Sequence, residues 1–206
     1  MTGVQTCALP ISSDVTDGDT SSVSALLSNK GADGRISLRE AILAANATAG
    51  TNSISFNIPD ALVNGAHTIV LSSMLPAITD ALILNGMTQP DAGGQPVVVL
   101  DGGLTVSEGL DVQASGTTIR GLVIERFANR GILIRSGASN VTVAGNYIGT
   151  DVTGLVAQGN GSWGIDILGA GSGVMIGGSA LADRNVIGGS TGWGGIAVNA
   201  TNNVTI

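Results

Sequence analysis

The chain is short of nearly every residue that usually advertises chemistry. It holds one cysteine, one histidine, one lysine and five aromatic side chains among 206 residues. Cys7 has no second cysteine to bridge to and no His or Cys cluster beside it, so it supports no disulfide, metal or nucleophile reading. His67, in NGAHTIVL, has no Ser and Asp partner set and reads as structural. Eight Lys and Arg stand against fifteen Asp and Glu, for a net charge of -7. Phosphate-backbone binding needs clustered cations, so no nucleic-acid partner is expected. The charge-free stretch 61–79 is broken by Asn64, Gly65, His67 and Pro76, and no membrane insertion is expected. The scarcity of cysteine leaves the redox compartment open.

What is present is apolar and rich in glycine. Hydrophobic residues make up 43%, Gly 32 and Pro 5 of the chain, with mean hydropathy +0.40. That Gly and Pro share lies below the level of low-complexity disorder, and the apolar content suffices for a core.

One stretch reads as a helix, SLREAILAAN at 37–46. Ser37 followed three residues later by Glu40 is a capping box, each side chain satisfying the other's free backbone N–H. Leu38, Ala41, Ile42 and Ala45 then fall on one face. After Thr51 the text changes to short β-branched runs parted by Gly, Asn, Ser and Asp: SISFNI, HTIVL, ALILNG, PVVVLDG. These read as strands.

A repeat organises the rest. Gly-[Ile/Leu]-x-[Ile/Val] occurs as GLDV, GILI, GIDI and GIAV, starting at Gly109, Gly131, Gly164 and Gly195, hence 22, 33 and 31 residues apart. A second motif follows each copy: TTIRGLVI, VTVAGNYI, VMIGG with NVI, and VTI. Each period is therefore one unit with at least two strands. Period-2 alternation, as in Ile132 and Ile134 against Leu133, sends one set of side chains inward. About 22 residues is too short for crossover helices, so the expected fold is all-β, a right-handed parallel β-helix (a solenoid) capped by the short N-terminal α-helix. The helix sits where an unpaired first edge needs covering.

These residues carry a resemblance. GADGRISLREAILAAN, the strand SISFNI and the GNYIGTD…GN…GI repeat resemble large bacterial surface proteins with a CSLREA-type N-terminal cap and pectate-lyase-like β-helix repeats, over most of residues 14–206. Ser37, Arg39 and Glu40 are the cap positions, and Ile36 stands where that cap usually has Cys. The resemblance implies export, an extracellular or cell-surface location, and an adhesin-like or stalk role. Separately, MTGVQTCALPI resembles the conceptual translation of a common sequencing adapter, so residues 1–11 are expected to be non-native. The remaining division is 12–50, an acidic linker and cap, and 51–206, the β-helix. Because VTI stops one strand into a new period, the chain is expected to be a monomeric piece of a longer protein.

Candidate sites follow from the repeat. Six residues separate Ile124 from Gly131, fifteen separate Ile148 from Gly164, and seven separate Ile187 from Gly195. All the extra residues fall at one corner, and loops on one face of a solenoid are where binding concentrates. Glu108, Arg130 and Trp163 precede successive glycines there, with Trp193 one residue further out. Arg130 over Trp163 suggests a cation–π contact, and Trp163, Trp193, Arg130 and Asp151 are the candidates for holding a polysaccharide or cell-surface glycan. Asp111 and Asp166 share one outward strand position two rungs apart, ~10 Å by strand spacing, at the limit of the ~6.5–9.5 Å of an inverting glycosidase pair. On an exposed face such aspartates are solvated. Arg120, Arg126 and Arg135 lack an evident Asp cluster beside them, so a polysaccharide lyase or glycoside hydrolase is the rival reading, and a ligand-free spacer the third. Asp14, Asp17 and Asp19 resemble part of a Ca²⁺ loop but lack the spacing and terminal Glu of an EF-hand. They are expected to be solvated linker, and no cofactor is expected. Asn140, Asn146, Asn185 and Asn203 recur at equivalent posts and are expected to form a structural ladder at turns.

Overall fold

The structure is a computed structural model that describes the backbone of residues 5–9 and, in full, residues 14–199 and 203–206. Three parallel sheets dominate it. Sheet I orders Gln5–Leu9, Asn52–Phe56, Leu82–Asn85, Thr118–Arg120, Thr142–Ala144, Val174–Ile176 and Val204–Thr205. Sheet II orders His67–Val70, Val98–Asp101, Leu122–Glu125, Tyr147–Ile148 and Val186–Ile187. Sheet III orders Glu108–Val112, Arg130–Ile134, Trp163–Leu168 and Gly194–Asn199.

From Thr118 onward the chain visits I, II and III in turn, so each period supplies one strand to each sheet. The Gly-[Ile/Leu]-x-[Ile/Val] motif is the sheet III strand, with Leu110, Ile132, Ile165 and Ile196 in register. The second motif comprises two strands, one in sheet I and one in sheet II. Gly121, Gly145 and Gly177, at φ +68, +65 and +105, break it between sheets I and II, in a region open to glycine at little steric cost.

The asparagine ladder sits at these corners. Asn146, fully buried, accepts from Leu122 N at 3.0 Å and donates to the carbonyls of Ile119 and Ala144. Asn185 continues it, accepting from Asn146 N at 2.9 Å and donating to Val143 O at 2.8 Å. Asn140 and Asn203 take left-handed conformations, φ 53 and 54, before their sheet I strands. These side chains satisfy backbone groups that lose ladder partners where the chain turns.

Inward residues of all three sheets form one cluster, including Ile54, Leu84, Ile119, Ile124, Val112, Ile134 and Ile167. Helix α1 (Val23–Ser28) and helix α2 (Leu38–Asn46) close one end of it, α2 through the buried Leu38, Ala41, Ile42 and Ala45. The Ser37–Glu40 capping box is present. Ile36 is completely buried in this cluster.

Two expectations change here. Helix α1 has no counterpart in the sequence reading, because six residues with only Val23 and Leu26 buried carry too short a period to register. Asp14 and Asp17 are also bonded into the fold rather than left as solvated linker, while Asp19 is exposed. Asp14 receives Arg39 Nε at 2.8 Å and Nη2 at 2.9 Å, together with Ser72 N and Oγ. Asp17 accepts from the N–H groups of Ala32 and Asp33. Burial works to raise the Asp14 carboxyl, but Arg39 and Ser72 outweigh it and hold it below its ordinary value.

The expectation that residues 1–11 are non-native falls partly outside the described residues. Of that segment the backbone of Gln5–Leu9 runs parallel to Asn52–Phe56. An open sheet edge accepts any segment able to extend, whatever its origin.

Candidate functional site

The long corner insertion walls a concavity over sheet II. Residues 149–162 link sheet II to sheet III, and the loop folds on itself: Thr150 bridges Ala157, Asp151 N donates to Val156 O at 2.9 Å, and Gln158 N donates to Gly149 O at 2.9 Å. Asp151 gathers the loop tip. Its Oδ1 accepts from the Thr153 hydroxyl at 2.6 Å and from the N–H groups of Thr153, Leu155 and Val156. Burial alone would raise this carboxyl; the four donors keep it below its ordinary value. Gly149, at φ +76, is needed because a Cβ there would stand 2.0 Å from Gly188 O in the next period.

Facing this loop is the segment before strand His67–Val70. Asn64 and Gly65, at φ 53 and 81, form a tight two-residue turn closed by Val63 N to Ala66 O at 3.0 Å, the conformation that Asn-Gly favours. The turn reaches Val152 of the insertion: a Cβ on Gly65 would lie 3.9 Å from Val152 Cγ1. Between the two walls lies a cleft of about 510 Å³, with Val99 and Glu125 of sheet II in its floor and Asp60, Asn64, Asp151 and Gln158 around them. Ala66, Val99 and Val123 form a small apolar cluster on this outer face, separate from the main core, with Tyr147 and Val152 packed on it.

Glu125 is the residue that sequence reasoning missed. It ends GLVIE as Asp101 ends VVVLD, and the register sets the two side by side. That pairing was the available signal, because aligning the periods brings these carboxylates to adjacent strands. Asp101 is neutralised by Arg126, whose Nε lies 2.9 Å from its Oδ1. The Glu125 carboxylate has no hydrogen bond or ion pair among the described residues, while its backbone carbonyl accepts from Gly102 N at 3.1 Å. Its half-burial on the apolar floor pushes the carboxyl up to about 7; the charges of Asp101 and Asp151 add to this and Arg126 opposes it.

That position carries a cost at high pH. The folded protein retains a proton that the unfolded chain releases between pH 4.5 and about 7, so stability falls as pH rises through this window. Glu125→Gln removes the penalty. Allowing for solvent screening at a half-exposed group, the variant is expected to be about 1 kcal/mol more stable than the parent at pH 8 and equal to it at pH 4. Urea denaturation at the two pH values measures the difference; equal midpoints at pH 8 would contradict the shift.

The sites expected on sheet III are built differently. Asp111, Leu133 and Asp166 do share one register column, but the aspartates are buried rather than solvated, at 7% and 2% exposure. Arg135 Nε binds Asp111 at 2.8 Å, and Arg130 spans Asp166 at 2.6 Å and Glu108 at 2.9 Å. Neither aspartate is a free acid or base, because each is bound to an arginine from a neighbouring strand. Arg120, Arg126 and Arg135 each meet a single carboxylate rather than a cluster: Arg126 holds Asp101, Arg135 holds Asp111, and Arg120 lies 3.6 Å from Asp183.

Glu108, Arg130 and Trp163 form the predicted column, ending at Gly194. Arg130 directs its Nε to Asp166 and its Nη1 to Glu108. Trp163 is half-buried, while Trp193 is 77% exposed. Both indoles lie outside the cleft lining; of the predicted glycan contacts only Asp151 borders it. His67 is buried and engaged, its Nε2 within 3.0 Å of Asp91 and 3.1 Å of Gln89.

Among the described residues, no group of three or more His, Cys, Asp or Glu is placed to hold a metal ion, and no helix is long and apolar enough to cross a membrane. No protein family, curated protein or solved structure matches the chain.

Proposed function

We propose that the chain forms successive turns of a right-handed parallel β-helix and serves as an exported, adhesin-like surface module that binds glycans in the cleft over sheet II. The fold reading rests on three parallel sheets visited in cyclic order around one apolar cluster, and on the right-handedness of nearly all parallel crossovers. The surface location rests on the resemblance of its cap to the CSLREA type. One observation carries the binding reading: the single long insertion folds back over sheet II to wall a cleft lined by Asn64, Thr68, Gln158 and carboxylates. Such mixed donors and acceptors above a small apolar floor suit hydroxyl-rich rings.

The lining also selects among sugars. It holds the ionised Asp151 and, among the described residues, no Arg or Lys, so a polyuronate, the substrate of a lyase, meets like charge there.

A glycan array probed with the protein and three variants tests the reading. Asn64→Ala and Gln158→Ala are each expected to weaken binding about tenfold, the worth of one good hydrogen bond. Trp193→Ala is expected to leave it unchanged. Loss with Trp193→Ala alone would move the site to the indole edge, and no binding to any glycan would favour a structural spacer.

A further inference from the structure

Glu125 and Asp151 border one cleft in opposite circumstances. Asp151 has one oxygen saturated by four donors and the other without a hydrogen bond, and it stays ionised. Glu125 has neither oxygen bound and lies half-buried over Val99 and Val123, protonated up to near neutrality. Two carboxyl groups that line one cleft and differ in protonation state meet one requirement of acid–base cleavage of a glycosidic bond.

We infer that the cleft hydrolyses a neutral glycoside, with Glu125 as general acid and Asp151 as general base. The inference rests on reading the cleft as a glycan site. In the step, Glu125 gives its proton to the glycosidic oxygen as the bond from that oxygen to the anomeric carbon breaks, its electron pair staying with the oxygen. Water supplies the pair for the new bond to the anomeric carbon and passes a proton to Asp151. The products are a sugar with a free anomeric hydroxyl and the leaving alcohol. Exchange with solvent then returns the proton from Asp151 to Glu125.

The groups facing Glu125 support this assignment. From sheet II come Asp101, its charge taken by Arg126, and Arg126 itself. From the insertion comes Asp151, and Asp60 and His67 border the same cleft. Asp60 is paired with Arg35 at 3.1 Å and His67 with Asp91 at 3.0 Å. Glu125 is thus the unpaired carboxyl of the set nearest to apolar surface. The charge of the ligand follows. A uronide is repelled by the acidic lining, and an ammonium would ion-pair with Glu125 and strip the proton it must donate.

The test incubates the protein with reducing-end-labelled neutral hexasaccharides of glucose, xylose and mannose, and with hexagalacturonate, and follows new reducing ends. Cleavage of a neutral hexasaccharide is expected, with kcat/KM falling above pH about 7 as Glu125 ionises. Glu125→Gln is expected to lose about 10²–10⁴-fold in kcat. Activity is expected to persist on the 2,4-dinitrophenyl glycoside of the same sugar, whose leaving group needs no proton. A structural role for Glu125 would not separate these substrates. Array binding without cleavage would overturn the inference and leave the binding reading standing. Absence of both would remove both. Wild-type rates for Glu125→Gln, or cleavage of hexagalacturonate alone, would also overturn it.

Discussion

Arg130→Ala is expected to destabilise the protein by about 3–5 kcal/mol, the loss typical when one partner of a buried ion pair is removed. The guanidinium spans two carboxylates on the outer face of sheet III, Asp166 at 2.6 Å and Glu108 at 2.9 Å. Their side chains are only 2% and 9% exposed. Asn199 and Asn129 each offer one amide donor to this pair of acids, too little to replace a cation. One Glu108 oxygen, Oε2, already lacks a hydrogen-bond partner. Urea denaturation is the measurement, read as a lower midpoint at unchanged slope. A compensated variant separates lost attraction from stranded charge. Glu108→Leu with Arg130→Met and Asp166→Leu removes all three charges together and is expected to fall within about 1–2 kcal/mol of the parent, because well-packed apolar groups commonly replace buried ion triads without penalty. Less than 1 kcal/mol lost in Arg130→Ala would mean that these acids are solvated after all.

Glu40→Ala is expected to cost about 3–5 kcal/mol, as several backbone donors lose one charged acceptor at once. The carboxylate is 1% exposed and accepts from Asp17 N at 2.8 Å, Gly18 N at 2.6 Å and Ser37 N at 2.8 Å. Only the last of these belongs to the capping box. The other two tie the segment before α1 to the first turn of α2, so Glu40 holds the cap together across more than twenty residues. Ser37→Ala provides the contrast. It removes only the hydroxyl that accepts from Glu40 N and is expected to cost about 1 kcal/mol, the ordinary price of an N-cap. Equal losses in the two variants would reduce Glu40 to a local helix cap. Thermal melts of both proteins, side by side, decide it.

The features legible from sequence were those set within a few residues. The capping box at Ser37 and Glu40 needs only a three-residue spacing, and α2 follows directly. The Gly-[Ile/Leu]-x-[Ile/Val] repeat aligned Leu110, Ile132, Ile165 and Ile196 before any coordinates, because a shared period brings equivalent residues to neighbouring strands. The same alignment put Asp111, Leu133 and Asp166 in one column. It placed the longest insertion at the same turn of the coil as the two shorter ones. The left-handed posts of Asn140 and Asn203 were likewise readable as turn chemistry.

Burial and charge state were another matter. Alternation says that Asp166 points away from the core, but not that Arg130, from the neighbouring strand, covers and neutralises it. Asp14 and Asp17 look like solvated linker until Arg39, Ser72 and the Ala32 amide fold onto them. Glu125 looks like any surface glutamate. It becomes a perturbed acid only because the Asn64–Gly65 turn, sixty residues before it, and the insertion after it enclose the same face of sheet II. Spacing along a chain specifies which backbone groups pair, since strand and helix periods are local. What desolvates a carboxyl, and which charge stands beside it, depends on segments far apart in the chain that meet only when it has folded.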